Sequence, residues 1–187
     1  MSKRIQYYIF FTIITVIINV MSVKIVNRIA KMHFNNEHPE QPAYDLIHNL
    51  LPKSNYILPD VFIAISLVIF LMVAPSVPMD YFLKHYDTVL KAFILRAIMV
   101  MSTIYPTCIP KDAENQPHLY SKHDLMCSGH TLCFMFGGSI VGYKYKTLGR
   151  IIKYLLPIGS IVSHQHYTDD IIVSMILYQM FSCTNGF

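Results

Sequence analysis

Charge is what this sequence is short of. Only 14% of its 187 residues are Asp, Glu, Lys or Arg, against about 25% in ordinary soluble domains. The charges come in short clusters between long uncharged runs, a distribution that argues against one soluble domain. The net charge of +4 is too scattered to point to nucleic acid. Four cysteines (Cys108, Cys127, Cys133 and Cys183) show no CxxC spacing, which leaves zinc-ribbon and thioredoxin-like readings without support. Cys108 and Cys127 fall in one predicted compartment, where a disulfide between them is one reading. No internal repeat, low-complexity tract or domain-splitting linker is present, so residues 1–187 read as a single domain.

What is there is hydrocarbon-like sequence: 53% of the chain is hydrophobic. The clearest run, Ile5 to Val23, carries no charge, and about 20 apolar residues cross a bilayer core. Lys3 and Arg4 precede it, but it exceeds a signal-peptide core and no small-x-small cleavage site follows. It therefore reads as a retained first helix. Five further segments complete six predicted spans: Ile5–Val26, Val61–Val77, Thr88–Tyr105, Thr131–Tyr145, Ile151–Val162 and Ile171–Cys183. The last three are short enough to be buried or re-entrant helices instead. The expected fold class is all-α, a polytopic integral membrane protein built as a six-transmembrane helical bundle.

The positive-inside bias orients it. With a cytosolic N-terminus, the inside loops carry Lys3 and Arg4, then Lys84 and Lys91, then Lys144, Lys146, Arg150 and Lys153. Most acids fall outside, Asp45, Asp60, Asp124, Asp169 and Asp170 among them. In the longest polar connection, Lys31 to Lys53, "AYDLIHNLL" reads as a short interfacial helix or as solvated loop.

Two polar islands fall on the predicted outer face. In "SHQHYTDD", Ser163 to Asp170, His166 and Asp170 stand four apart, on one face if the last helix begins near Tyr167. A carboxylate on one imidazole nitrogen raises the basicity of the other, making it a base or nucleophile. The same residues also suit a helix start, with Thr168 or Asp169 as cap. The second island, "CSGHT" at Cys127–Thr131, sets Ser128, Gly129 and His130 at the mouth of another apolar helix. Backbone N–H groups there suit an anion, and His130 suits protonation of a leaving oxygen. A third oddity is Arg96, inside the apolar "FILRAIMVMSTIYP". It reads either as a snorkelling cation or as a ligand for two phosphate oxygens, about 15 Å from the Pro106 end.

These stretches resemble the sphingomyelin synthase family, the ceramide phosphotransferase branch of the lipid phosphate phosphatase superfamily. "LPD" at Leu58–Asp60, "RAIMVMSTIYP" at Arg96–Pro106, "DLMCSGHT" at Asp124–Thr131 and "HYTDDII" at His166–Ile172 follow the family's order. The motif-bearing core is about 58–187. The resemblance implies headgroup transfer (phosphocholine, phosphoethanolamine or phosphoinositol) from a glycerophospholipid to ceramide, releasing diacylglycerol. By that analogy His166 attacks phosphorus, Asp170 orients it, and His130 handles the proton. Arg96, Asp124, Ser128, Gly129 and Tyr167 would bind substrate. The implied site faces the lumen or exterior of the Golgi, endoplasmic reticulum or plasma membrane, and a homo-oligomer is compatible. The chain departs from the family in lacking an N-terminal helical domain, and in carrying Cys127 where members often have Tyr.

Three rival readings stay open. A lipid phosphate phosphatase would use the same histidines with water as acceptor, but its Arg-Pro pair is missing and Ser160 stands where its arginine would. An inactive lipid-binding scaffold would keep the shape without the chemistry. A zinc hydrolase lacks HExxH-type spacing among His130, His164 and His166. The phosphotransferase reading calls for no metal or cofactor, since arginine, imidazolium and helix N-termini can hold the phosphate charge.

Overall fold

The computed structural model describes residues 3–34, 44–51, 55, 57–103, 106, 127–163 and 165–184. The fold is all-α, with no strand among the described residues. The uncharged N-terminal run forms the core of α1, Lys3–His33. It continues beyond the expected Val26, and Lys31 and His33 in its last turn suit the negative end of the helix dipole. Polar side chains on it bond back one turn: Thr15 Oγ1 donates to Phe11 O at 2.8 Å and Asn19 Nδ2 to Thr15 O at 2.9 Å.

A short helix, α2 (Leu46–Leu50), is followed by α3 (Leu58–Val73), which tightens into a 3₁₀ turn at Ala74–Ser76. Pro59 near the start of α3 costs no hydrogen bond, because the first N–H groups of a helix have no partner within it. Pro78 then precedes α4, Met79–Ser102. This corrects the expected start at Thr88. Lys84 and Lys91 lie on α4 rather than in a loop, with Lys91 paired to Asp87 one turn away. Charged side chains interrupted the apolar run while leaving the helix intact.

α5 (Gly129–Lys144) is capped by Ser128, whose Oγ accepts from Thr131 N at 3.2 Å. The predicted fifth segment, Ile151–Val162, is not one helix. It is a broken rod made of α6 (Lys146–Arg150), a wide π turn (Ile151–Leu155) and α7 (Ile158–Val162), with Pro157 at the second break. Gly149 is where this rod crosses α5. A Cβ there would sit 2.5 Å from Gly138 O and 2.6 Å from Gly142 N, so the two rods meet backbone to backbone. α8 (Thr168–Thr184) closes the described chain.

α1 packs on α4 and runs in the same direction. Tyr8 meets Tyr86 with ring centroids 5.8 Å apart, and Asn19 Nδ2 reaches Phe93 O at 3.0 Å. α3 packs on α5, and α4 lies against α5 and α8. Two apolar clusters fill the seams, one around Leu132, Met135 and Tyr178, the other around Phe134, Ile140 and Ile152. The distribution is inverted relative to a water-soluble bundle. Phe10, Ile13, Val68, Leu71 and Met180 are exposed, while Ser22, Thr88, Ser139 and Ser174 are buried. The stretches Gln6–His33 and Leu58–Ser76 are each long and apolar enough to cross a membrane.

Candidate active site

The N-termini of α3, α5 and α8 converge at one end of the bundle, beside the C-terminal half of α4. Asp60 enters from the first turn of α3 and accepts a hydrogen bond at Oδ1 from His130 Nε2, 3.0 Å away, on the first turn of α5. His166 stands two residues ahead of α8, and its ring centroid lies 6.0 Å from that of His130, the planes crossing at 65°. His166 Nδ1 is 3.4 Å from Asp170 Oδ2. Each imidazole therefore has its own carboxylate. The His166–Asp170 pair is buried (3% and 1% exposed), the His130–Asp60 pair less so (11% and 17%).

Asp170 serves two ends at once. Its Oδ2 also accepts from Tyr167 N at 3.1 Å, the reach-back half of a capping box. Oriented imidazole and helix cap, set apart as alternatives in the sequence, coincide in one oxygen. The expected cap from Thr168 or Asp169 is corrected. Asp169 Oδ1 accepts from the adjacent Asp170 N at 3.0 Å, while the Thr168 N–H and hydroxyl donate to Asp45 at 2.7 and 2.9 Å. The chain approaches this start through a tight reversal, in which Ser160 O accepts from Gln165 N at 3.1 Å and His166 N at 3.3 Å.

Arg96 is buried beneath the α5 N-terminus. Its Nε donates to Cys127 O at 2.9 Å and its Nη1 to Asn19 Oδ1 at 2.8 Å. Because α4 ends at Ser102, Arg96 lies about 9 Å from that end, nearer than the expected 15 Å. Cys127 adopts φ 64°, a left-handed conformation uncommon for a residue with a side chain. The guanidinium holds the carbonyl of that strained residue. The guanidinium also lies against Gly129, where an added Cβ would be in van der Waals contact with Arg96 Nε at 3.4 Å. Ser128 is buried, and its N–H is spent on Asp170 O at 3.4 Å. The Ser128 amide, read as an anion donor, thus joins α5 to α8 instead, while its hydroxyl caps α5 through Thr131 N. Tyr167 is buried and donates its hydroxyl to Pro106 O at 3.1 Å. Asp124, His164 and Cys108 lie outside the described residues.

Sequence reasoning gave Asp60 no partner, and gave Asp45 and His48 no place at the site. Asp45 caps α2 by accepting from Ile47 N at 2.9 Å, and reaches across to Thr168 with the same carboxylate. Burial pushes its pKa up, but the two Thr168 bonds, His48 and the α2 backbone outweigh this and hold it below the usual 3.8. His48 Nε2 lies 3.0 Å from the His166 carbonyl oxygen, and its ring stacks on Tyr167 at 5.9 Å. The readable signal was position: an acid opening the "DLIHNLL" run has the form of an N-cap, and Asp60 opens an apolar helix on the same predicted face as both histidines.

Chemically, this is a pair of carboxylate-held imidazoles at the positive ends of three helix dipoles. Among the described residues no group of three or more His, Cys, Asp or Glu side chains is arranged to hold a metal ion. No protein-family model matches this chain, and no curated protein matches it.

Proposed function

We propose that this protein is a multi-pass membrane phosphotransferase that moves a phospholipid headgroup, phosphocholine or a chemical relative, from a glycerophospholipid to ceramide. The observation that carries the reading is the meeting of His130 and His166, 6.0 Å between ring centroids, each with a carboxylate on one nitrogen. That spacing suits a reacting phosphorus about 3 Å from each ring's free edge. The inverted distribution of apolar and polar side chains and the two long apolar helices support a bilayer setting. In that setting the six rods, the broken one included, form a six-span bundle of the lipid phosphate phosphatase type. Its histidines face the lumen or exterior.

With Nδ1 directed at Asp170, the lone pair of His166 Nε2 attacks the phosphodiester. The new N–P bond forms as the bond from phosphorus to the glycerol oxygen breaks. His130, held at Nε2 by Asp60, gives a proton from Nδ1 to that oxygen and diacylglycerol leaves. His130 then takes the proton of the ceramide hydroxyl, whose oxygen attacks phosphorus and releases His166. Arg96 acts from behind, fixing the Cys127 turn that aims His130.

The test uses purified protein in vesicles of ceramide with one choline, ethanolamine or inositol phospholipid at a time, products read by mass spectrometry. Expected are ceramide carrying the donor's headgroup and an acid-labile phosphoryl adduct on His166, both absent in His166→Ala. Release of inorganic phosphate from phosphatidate without transfer to ceramide refutes the reading in favour of a hydrolase.

A further inference from the structure

One helical turn beneath the histidine pair lies a cavity of about 560 Å³, within the ~300–1,000 Å³ range of small-ligand sites. Thr12 and Asn19 of α1 line one side and Ile63, Ser66 and Phe70 of α3 the other. Cys133 and Gly137 of α5 lie between. Ile63 follows Asp60 by three positions and Cys133 follows His130 by three. On both helices the lining thus begins about 4.5 Å below the Asp60–His130 pair.

Three observations define the occupant. Val16, Val20 and Leu67 line the cavity and are also 56%, 48% and 53% exposed, so its mouth opens sideways on the apolar surface. α1 packs on α4 and α3 on α5, with no extensive contact between α1 and α3 among the described residues to close that seam. Within the cavity, Ser66 is 8% exposed and its Oγ has no hydrogen-bond partner among the described residues. A buried hydroxyl left unpaired is costly and invites an acceptor. At Gly137 an added Cβ would meet nothing within 4 Å, so the missing side chain leaves open space.

We infer that this cavity holds one hydrocarbon chain of a membrane lipid, entering between α1 and α3, with Ser66 donating to the ester or amide carbonyl at the head of the chain. That the chain belongs to the reacting lipid rests on the phosphotransferase reading. The chain site itself does not, because lateral mouth, apolar wall and unpaired hydroxyl stand without it.

The test places the full chain in vesicles doped with a phosphatidylcholine bearing a mid-chain diazirine, then irradiates and maps adducts by mass spectrometry. Wild type and His166→Ala are expected to concentrate adducts on the cavity-facing residues of α1, α3 and α5. Gly137→Leu, which fills the open space, is expected to lose at least tenfold of that signal at unchanged Tm. Should Gly137→Leu fail to fold, wild-type Cys133 carries the test, its maleimide labelling slowing at least tenfold when lipid is added to delipidated protein. Adducts spread evenly over the outer faces of α1, α3 and α8, or Cys133 labelling indifferent to lipid, overturn the inference. Cavity adducts without headgroup transfer from any donor sustain the chain site and refute the phosphotransferase; transfer with evenly spread adducts does the reverse.

Discussion

Asp60→Asn isolates the electrostatic hold on His130 at nearly constant shape. The asparagine side chain retains an oxygen where Asp60 Oδ1 meets His130 Nε2 at 3.0 Å, but loses the charge. A hydrogen bond to a charged partner contributes about 1.5–3 kcal/mol, a neutral one about 1 kcal/mol. The imidazolium that supplies the proton loses the difference of about 1–2 kcal/mol, and transfer, which starts from that imidazolium, slows by about 5- to 30-fold. His130→Ala, which removes the proton donor itself, is expected to lose about 10²–10⁴-fold. Folding should lose no more than about 1–2 kcal/mol, because the asparagine oxygen keeps the bond in neutral form. The assay is the single-turnover rate of leaving-group release without ceramide, at matched Tm, run beside a donor with a p-nitrophenolate leaving group. That group departs without a proton, so with it the Asp60→Asn loss should shrink to under about threefold. Equal losses with both donors would refute the assignment of His130 as proton donor.

Three further outcomes follow from the geometry. Asp45 has its pKa held below 3.8 by its bonds in the folded protein, so its contribution is complete above that value and is lost as pH falls through the lowered one. Hydrogen exchange at Thr168 and α2 should therefore accelerate below about pH 4, and Asp45→Ala should show the fast exchange at every pH. Gly149→Ala forces a methyl group against Gly138 O and Gly142. It should destabilise by about 1–3 kcal/mol in thermal melts, whereas Gly137→Ala, with open space around it, should not. Arg96→Lys cannot reproduce the fork to Cys127 O and Asn19 Oδ1. A loss of about 1.5–3 kcal/mol, read as lowered Tm, is expected, with transfer falling as His130 loses its aim.

The rods were legible where the sequence runs long and apolar with little charge, as in α1 and α3. They were misjudged where charge sits on a helix's outer side, as with Asp80, Lys84, Asp87 and Lys91 on α4, or where a proline breaks a rod that hydropathy shows as continuous. The partnership of His166 with Asp170 could be read because four-residue spacing is a local property. That of His130 with Asp60, and of Asp45 with Thr168, could not, because each joins residues from different segments and depends on which helix ends share a face. Arg96 drew attention through its cost in an apolar span, yet its partners became visible only when the left-handed Cys127 was in place.

The bridging carboxylate at position 45 has a practical corollary for anyone handling the protein. Connecting segments are usually the safest places for an epitope tag or a fused domain. Here the stretch from Tyr44 to Leu51 works as a buckle, fastened to the start of the final helix through Thr168 and to the His166 backbone through His48. Cargo spliced into it would strain a clasp on which the backbone at His166 depends.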